Sequence, residues 1–164
     1  MKIHAPALKG KGVFFRTKGY HLLKVRHSQI SQVYSLTAVT NQRKPILRDV
    51  HLGHLVIDQL RRQDQAGHTH SLAWVVIPVH IHWLFELQAR SLGVVMCPLK
   101  SRSSLSLNHT THSHGHVWQK GYHQRAVRQD EDLKTIARYI IFNPVRAGLA
   151  RRVGEYPLWD AAWR

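Results

Sequence analysis

Trp74-Val-Val-Ile-Pro-Val-His80-Ile-His82-Trp-Leu-Phe-Glu86 sets two imidazoles one residue apart inside an apolar, strand-like run. Strand side chains alternate between faces, so His80 and His82 share one face while Ile81, Trp83 and Phe85 enter a core on the other. Two imidazoles so placed can hold a divalent metal, which then needs at least one further donor from elsewhere in the chain. The same spacing also suits two half-buried strand histidines with no ligand, and His-x-His alone does not separate these readings. Pro78 and Val79 divide the run into strands over 71–77 and 80–87, as a tight hairpin or as one strand kinked at the proline.

Upstream, Val33-Tyr-Ser-Leu-Thr-Ala-Val-Thr40 alternates and is rich in β-branched residues, which predicts a strand, and Asn41-Gln-Arg-Lys-Pro45 predicts a basic turn. An amphipathic helix is expected over 49–62 from Val50, Leu52, Leu55, Val56 and Leu60, with Asp49 as N-cap and 63–67 as its end. Apolar residues near helical spacing predict another helix over 92–107, which Pro98 should kink or interrupt. Residues 108–116 carry four histidines in a polar tract that reads as a disordered loop binding nothing specific. Residues 117–127 alternate loosely and are compatible with a further strand.

The last helix has the clearest pattern. Leu133, Ile136, Ala137, Ile140 and Ile141 follow helical spacing, Asp130 is the expected N-cap, and Pro144 and Gly148 close the segment. Tyr139 and Asn143 fall roughly 40° apart on the flank of the apolar stripe, placed to reach sideways into a cleft. The aromatic segment 155–163 is expected to pack back on the domain.

With 164 residues the chain suits one domain, 1–164, in which residues 1–30 read as a basic N-terminal arm. The sequence has 24 Lys+Arg against 9 Asp+Glu, a formal net charge of +15, and a pI near 10.8. That excess points to a polyanionic partner. No apolar run approaches the length of a membrane span, so nucleic acid is favoured over a membrane surface. The single cysteine, Cys97, offers neither a disulfide nor a zinc knuckle, and with no secretion signal at the N-terminus the expected setting is the cytoplasm. Basic residues interleaved with aromatics suit phosphate contact combined with base stacking.

A metal on the two imidazoles could polarise a phosphodiester toward in-line attack. Tyr139 could be the nucleophile once a nearby cation favours its phenolate, giving a 5′-phosphotyrosine and a free 3′-OH that can rejoin strands without ATP. Spacing alone favours a tyrosine anchoring its hydroxyl at the surface.

Four stretches together resemble a known family: Ile77-Pro-Val-His80-Ile-His82-Trp-Leu-Phe85; Val117-Trp-Gln-Lys-Gly-Tyr-His-Gln-Arg-Ala126; Asp130 through Arg138-Tyr139-Ile-Ile-Phe-Asn143-Pro-Val-Arg-Ala-Gly-Leu149; and Tyr156-Pro-Leu-Trp-Asp160. They resemble the REP-associated tyrosine transposases, bacterial single-tyrosine members of the HUH nuclease superfamily. The likeness runs from about residue 33 to the C-terminus. It implies an α+β domain of the ferredoxin/RRM-like HUH nuclease fold, with a central antiparallel sheet and helices on one side. It also implies a metal-dependent endonuclease and strand transferase acting on single-stranded DNA folded into repetitive extragenic palindromic hairpins. Carried over by position, His80 and His82 match the metal-binding histidines, Tyr139 the nucleophile, and Asn143 the polar residue completing a site for Mg²⁺ or Mn²⁺. The family commonly has Met-Pro-Asp/Asn-His before the second histidine, whereas this chain has Ile77-Pro78-Val79-His80 and so lacks a polar group beside the metal.

On this reading Arg43, Lys44, Lys100, Arg102, Arg125, Arg128, Arg138 and Arg146 are expected DNA contacts and Trp118 a base stacker, in a nucleoid-associated monomer or weak homodimer. The alternative is a non-catalytic single-stranded nucleic-acid-binding module whose histidines are structural. A zinc-binding structural protein is disfavoured because one cysteine and a flexible histidine tract give no closed ligand set.

Overall fold

The structure, a computed structural model, describes residues 29–163. The basic arm expected over 1–30 therefore lies almost wholly outside the described residues. Five strands, β1 (Val33–Val39), β2 (Thr69–Ile77), β3 (His80–Leu87), β4 (His123–Ala126) and β5 (Trp159–Ala161), form one sheet in the order β4-β1-β3-β2-β5. Every neighbouring pair is antiparallel. Helices α1 (Val50–Gln65) and α2 (Leu92–Thr111) complete a β1-α1-β2-β3-α2-β4 unit, the split βαβ arrangement of ferredoxin-like domains. Helix α3 (Leu133–Ile141), the single turn α4 (Asn143–Arg146) and β5 follow.

Pro78 and Val79 make a two-residue turn, so the expected run is a hairpin in which Ile77 faces His80. A proline here removes no ladder bond, because its nitrogen lies outside both strands. Strand β1 pairs along the other side of β3, from Val33 opposite Glu86 to Val39 opposite His80. The histidine strand is thus the centre of the sheet.

Alternation on β3 sorts the interior into two layers. Ile81, Trp83, Phe85 and Leu87 pack with Leu36, Trp74 and Val76, beneath Val56, Ile57 and Leu60 of α1 and Val95, Met96 and Leu99 of α2. On the opposite face, Leu84 joins Ala73, Val75 and Ile77 beneath Ala137 and Ile140 of α3. The expectation of helices on one side is therefore corrected. α1 and α2 share a face, but the apolar stripe of α3 is buried on the other, which is the face of His80 and His82.

Three further expectations change. α2 continues through Pro98 and takes in Asn108 to Thr111, so the tract read as a disordered loop starts as helix. Buried Val95, Met96 and Leu99 hold both sides of the proline to the sheet. At about 1.5–3 kcal/mol per buried side chain, they outweigh an interior proline's roughly 3 kcal/mol. The helix stops at His112, whose φ of 50° is left-handed, and the Asn108 side-chain amide donates to the Gly115 carbonyl at 3.0 Å. At the start of α3 the cap is Asp132, not Asp130. Its carboxylate accepts from the Lys134 N–H at 3.0 Å and the Thr135 hydroxyl at 2.6 Å. Asp130 pairs instead with Arg128 at 3.3 Å. Of residues 117–127 only four form a strand, with Trp118 making an isolated bridge to Thr40. Asp49 caps α1 as expected, accepting from the His51 and Leu52 N–H groups.

Leu84 is fully buried between the sheet and α3. Truncation in Leu84→Ala should cost about 2–5 kcal/mol. Urea unfolding of the variant is expected to show an earlier midpoint at an unchanged slope.

Candidate active site

His80 and His82 leave β3 on the same face, their rings perpendicular at 84° with centroids 4.5 Å apart. Directly across from His82 on β1 is Thr37, whose hydroxyl oxygen lies 2.8 Å from His82 Nδ1. Nε2 of His80 is buried without a hydrogen-bond partner. Such an atom is costly to bury unless something outside the protein can satisfy it. Burial and the Arg43 guanidinium lower the His80 pKa to about 4. Burial, His80 and Arg146 lower that of His82 to about 3. Both rings are therefore neutral near pH 7, the state in which an imidazole lone pair can bind a metal.

Two arginines approach this pair from different elements. Arg43 belongs to the turn after β1, in which Gln42 and Arg43 have φ of 55° and 52°. Consecutive left-handed residues other than glycine carry a backbone cost of order 1–3 kcal/mol each. Thr40 holds the turn in place. Its N–H donates to the Val79 carbonyl at 2.9 Å, and its hydroxyl lies 2.7 Å from the Lys44 carbonyl. The strained turn is thereby tied to the hairpin turn that precedes His80.

Arg146, from α4, stacks its guanidinium 3.9 Å from the centroid of the Tyr139 ring. It also donates from Nη2 to the Tyr139 carbonyl at 2.6 Å. The charge of the same side chain contributes to the lowered pKa of His82. Tyr139 is 65% exposed, with its phenol on the solvent side of α3. Asn143 is half-buried and opens α4 beside buried Pro144. No group of three or more His, Cys, Asp or Glu that could hold a metal occurs among the described residues. Among the described residues the donor set is thus two neutral imidazoles, to which the expected third ligand, Asn143, would add an uncharged carboxamide oxygen. That set fits a divalent ion with open positions.

The other expected contacts divide. Trp118 is corrected: it is 5% exposed, and its indole N–H donates to Ser103 Oγ at 2.9 Å inside the core, so no base can stack on it as it stands. Lys100 donates from Nζ to the carbonyls of Gln119 and Gly121, both at 2.7 Å, and fastens α2 to that loop. Arg125 is paired with Glu131 at 2.6 Å, and Arg128 with Asp130. Lys44, Arg102 and Arg138 are exposed. Thr37 was not singled out by the sequence. It is one of two small hydroxyl residues on β1, with Ser35, a signal that becomes specific only once the β1–β3 register is known.

Residues 27–143 match the family described as "Transposase IS200 like". The REP-associated tyrosine transposase of Escherichia coli (strain K12) is 30% identical over 87 residues, 52% of this chain and 50% of that one. A relative from Haemophilus influenzae (strain ATCC 51907 / DSM 11121 / KW20 / Rd) is 26% identical over 98 residues, 53% of this chain and 56% of that one. The matches span about half the length of these curated relatives. A solved structure titled as a REP-associated tyrosine transposase bound to a REP hairpin superposes with a TM-score of 0.65 at 23% identity, covering 82% of this chain and 79% of that one. The sheet, its α3-covered face and these matches define a transposase-type α+β domain. This chain belongs to the IS200-like transposase family.

Two outcomes are expected. Because both histidine pKa values are depressed in the folded chain, the unfolded chain binds more protons below about pH 6.5. Stability should therefore fall as pH drops from 6.5 toward 4, and urea midpoints across that range should decline less steeply in His82→Gln. Separately, Trp118→Ala should cost about 3–5 kcal/mol in the same measurement, whereas a surface stacker would leave stability nearly unchanged.

Proposed function

We propose that this chain is a metal-dependent single-stranded DNA endonuclease and strand transferase that acts on repetitive extragenic palindromic hairpin DNA through Tyr139. The observation that carries this reading is that α3, the helix bearing Tyr139, packs on the same sheet face as His80 and His82, with the charge of Arg146, stacked on the Tyr139 ring, contributing to the lowered pKa of His82. Membership of a transposase family and the hairpin-bound structural neighbour support the substrate class.

In this mechanism His80, His82 and Asn143 would hold Mg²⁺ or Mn²⁺, which would supply Lewis-acid neutralisation of a phosphate oxygen. The phenol of Tyr139 loses its proton to water and Oη attacks phosphorus. An Oη–P bond forms, the P–O3′ bond breaks, and the departing 3′ oxygen takes up a proton. The products are a 5′-phosphotyrosine and a free 3′-OH, and attack by a 3′-OH on that linkage reseals a strand without outside energy. Arg43 and Arg146 supply positive charge around the phosphate, where a planar guanidinium can contact two oxygens at once. The surplus of basic residues on the chain draws the polyanion in from a distance.

One observation favours a second reading. Val79 stands where the family pattern carries Asp or Asn, so the donor set is poorer by one polar group. A chain that binds single-stranded DNA through the same face without cleaving it would follow.

A labelled single-stranded hairpin incubated with Mg²⁺ or Mn²⁺ should yield a covalent protein–DNA adduct on a denaturing gel. The adduct should be lost with chelator and in Tyr139→Phe, and should fall by at least a hundredfold in His80→Ala or His82→Ala. Equal adduct from Tyr139→Phe would remove the assigned nucleophile. Metal-independent binding with no adduct would support the second reading.

A further inference from the structure

We propose that Thr37 is a positioning residue for His82, accepting the Nδ1 proton so that the ring is held with its Nε2 lone pair directed away from the sheet for a metal. This inference rests on the metal role proposed for His82. The hydroxyl oxygen and Nδ1 are 2.8 Å apart, and the pairing of Thr37 with His82 across β1 and β3 fixes that contact in the backbone register. Flexible side chains alone do not set it. Neighbouring pairs Ala38 with Ile81 and Leu36 with Trp83 are buried on the other face, so a slip of one residue would cost the whole core.

The direction of the proton follows from hydrogen-bond accounting. A neutral imidazole carries one N–H. With the proton on Nδ1, it is donated to Thr37 and Nε2 keeps a lone pair. With the proton on Nε2, the threonine would donate to Nδ1 and Nε2 would keep no lone pair for a metal, so the metal role proposed for His82 requires the first arrangement. The perpendicular ring of His80, with its own Nε2 buried and unpartnered, places a second nitrogen donor beside the first. Hydrogen bonds of this kind to the far nitrogen are how protein metal sites orient their histidines, and losing one lowers metal affinity about 10- to 100-fold.

The test uses the full chain, wild type, Thr37→Val and Thr37→Ser, with long-range ¹H–¹⁵N spectra of the metal-free imidazoles and Mn²⁺ titration followed by electron paramagnetic resonance. The spectra should show the Nδ1–H tautomer at His82 in wild type and Thr37→Ser, and a mixed tautomer in Thr37→Val. Mn²⁺ affinity should fall about 10- to 100-fold in Thr37→Val and recover in Thr37→Ser. Amide spectra and urea midpoints establish that each variant is folded. An Nε2–H tautomer in wild type, or an unchanged tautomer in folded Thr37→Val, would overturn the proposal. An unchanged Mn²⁺ affinity in Thr37→Val would overturn it as well. If no variant binds Mn²⁺, the metal role fails and this proposal with it, while an Nδ1–H tautomer dependent on Thr37 would still establish the hydrogen bond itself.

Discussion

Because neighbouring side chains on a strand must leave it on opposite faces, burying Ile81, Trp83 and Phe85 beneath α1 and α2 commits His80 and His82 to the other side of the sheet. Nothing about the histidines themselves is needed to put them there. The energy comes from the core residues between them, each contributing on the order of 1.5–3 kcal/mol through burial. Those residues also set the pairing of β3 with β1 and β2, so the polar site inherits its geometry from the apolar one. What the site costs is visible in the depressed proton affinity of both rings and in a buried nitrogen without a partner.

The histidine face is only half open. Leu84, two residues beyond His82 on the same side, lies under α3 together with Val75 and Ile77. One sheet face thus changes from helix-covered to polar along a single strand. Tyr139 lies near the end of α3, and Asn143 and Arg146 in the single turn α4 that follows it. Arg43 is carried on a turn held in left-handed backbone geometry, a conformation that persists because Thr40 anchors it to the hairpin.

Much of this was legible from residue patterns. Period-two alternation identified β1 and β3 and the common side of the histidines, and helical spacing identified α1 and α3. α3 buries Ala137 and Ile140 while Tyr139 stays exposed off the apolar stripe, but the helix ends at Ile141, so Asn143 lies on the next turn, α4, and not on the same helix flank. The remainder was hidden for physical reasons. Trp118 is the same residue whether it stacks on a base or fills a core, and its partner Ser103 is fifteen positions away on another element. Pro98 disfavours a helix locally, yet side chains packed on either side keep the helix intact. Asp130, Glu131 and Asp132 are three consecutive acids at a helix start, and only the arginines at 125 and 128 decide which of them is left to cap it. Thr37 required the strand register, which alternation alone does not give.

Arg146 has three attachments at once: a carbonyl, an aromatic face and the electrostatic surroundings of His82. The carbonyl belongs to Tyr139, and in an unbroken helix it would accept from the amide four residues on. Here a side chain takes that place while Pro144 brings no N–H to the next carbonyl along. Lysine could preserve the charge but neither the flat stacking surface nor the fork of donors. Sequence variation at this position would therefore disturb helix termination, orientation of the phenol and local potential together, and a defect seen there could not be assigned to any one of them without variants that separate shape from charge.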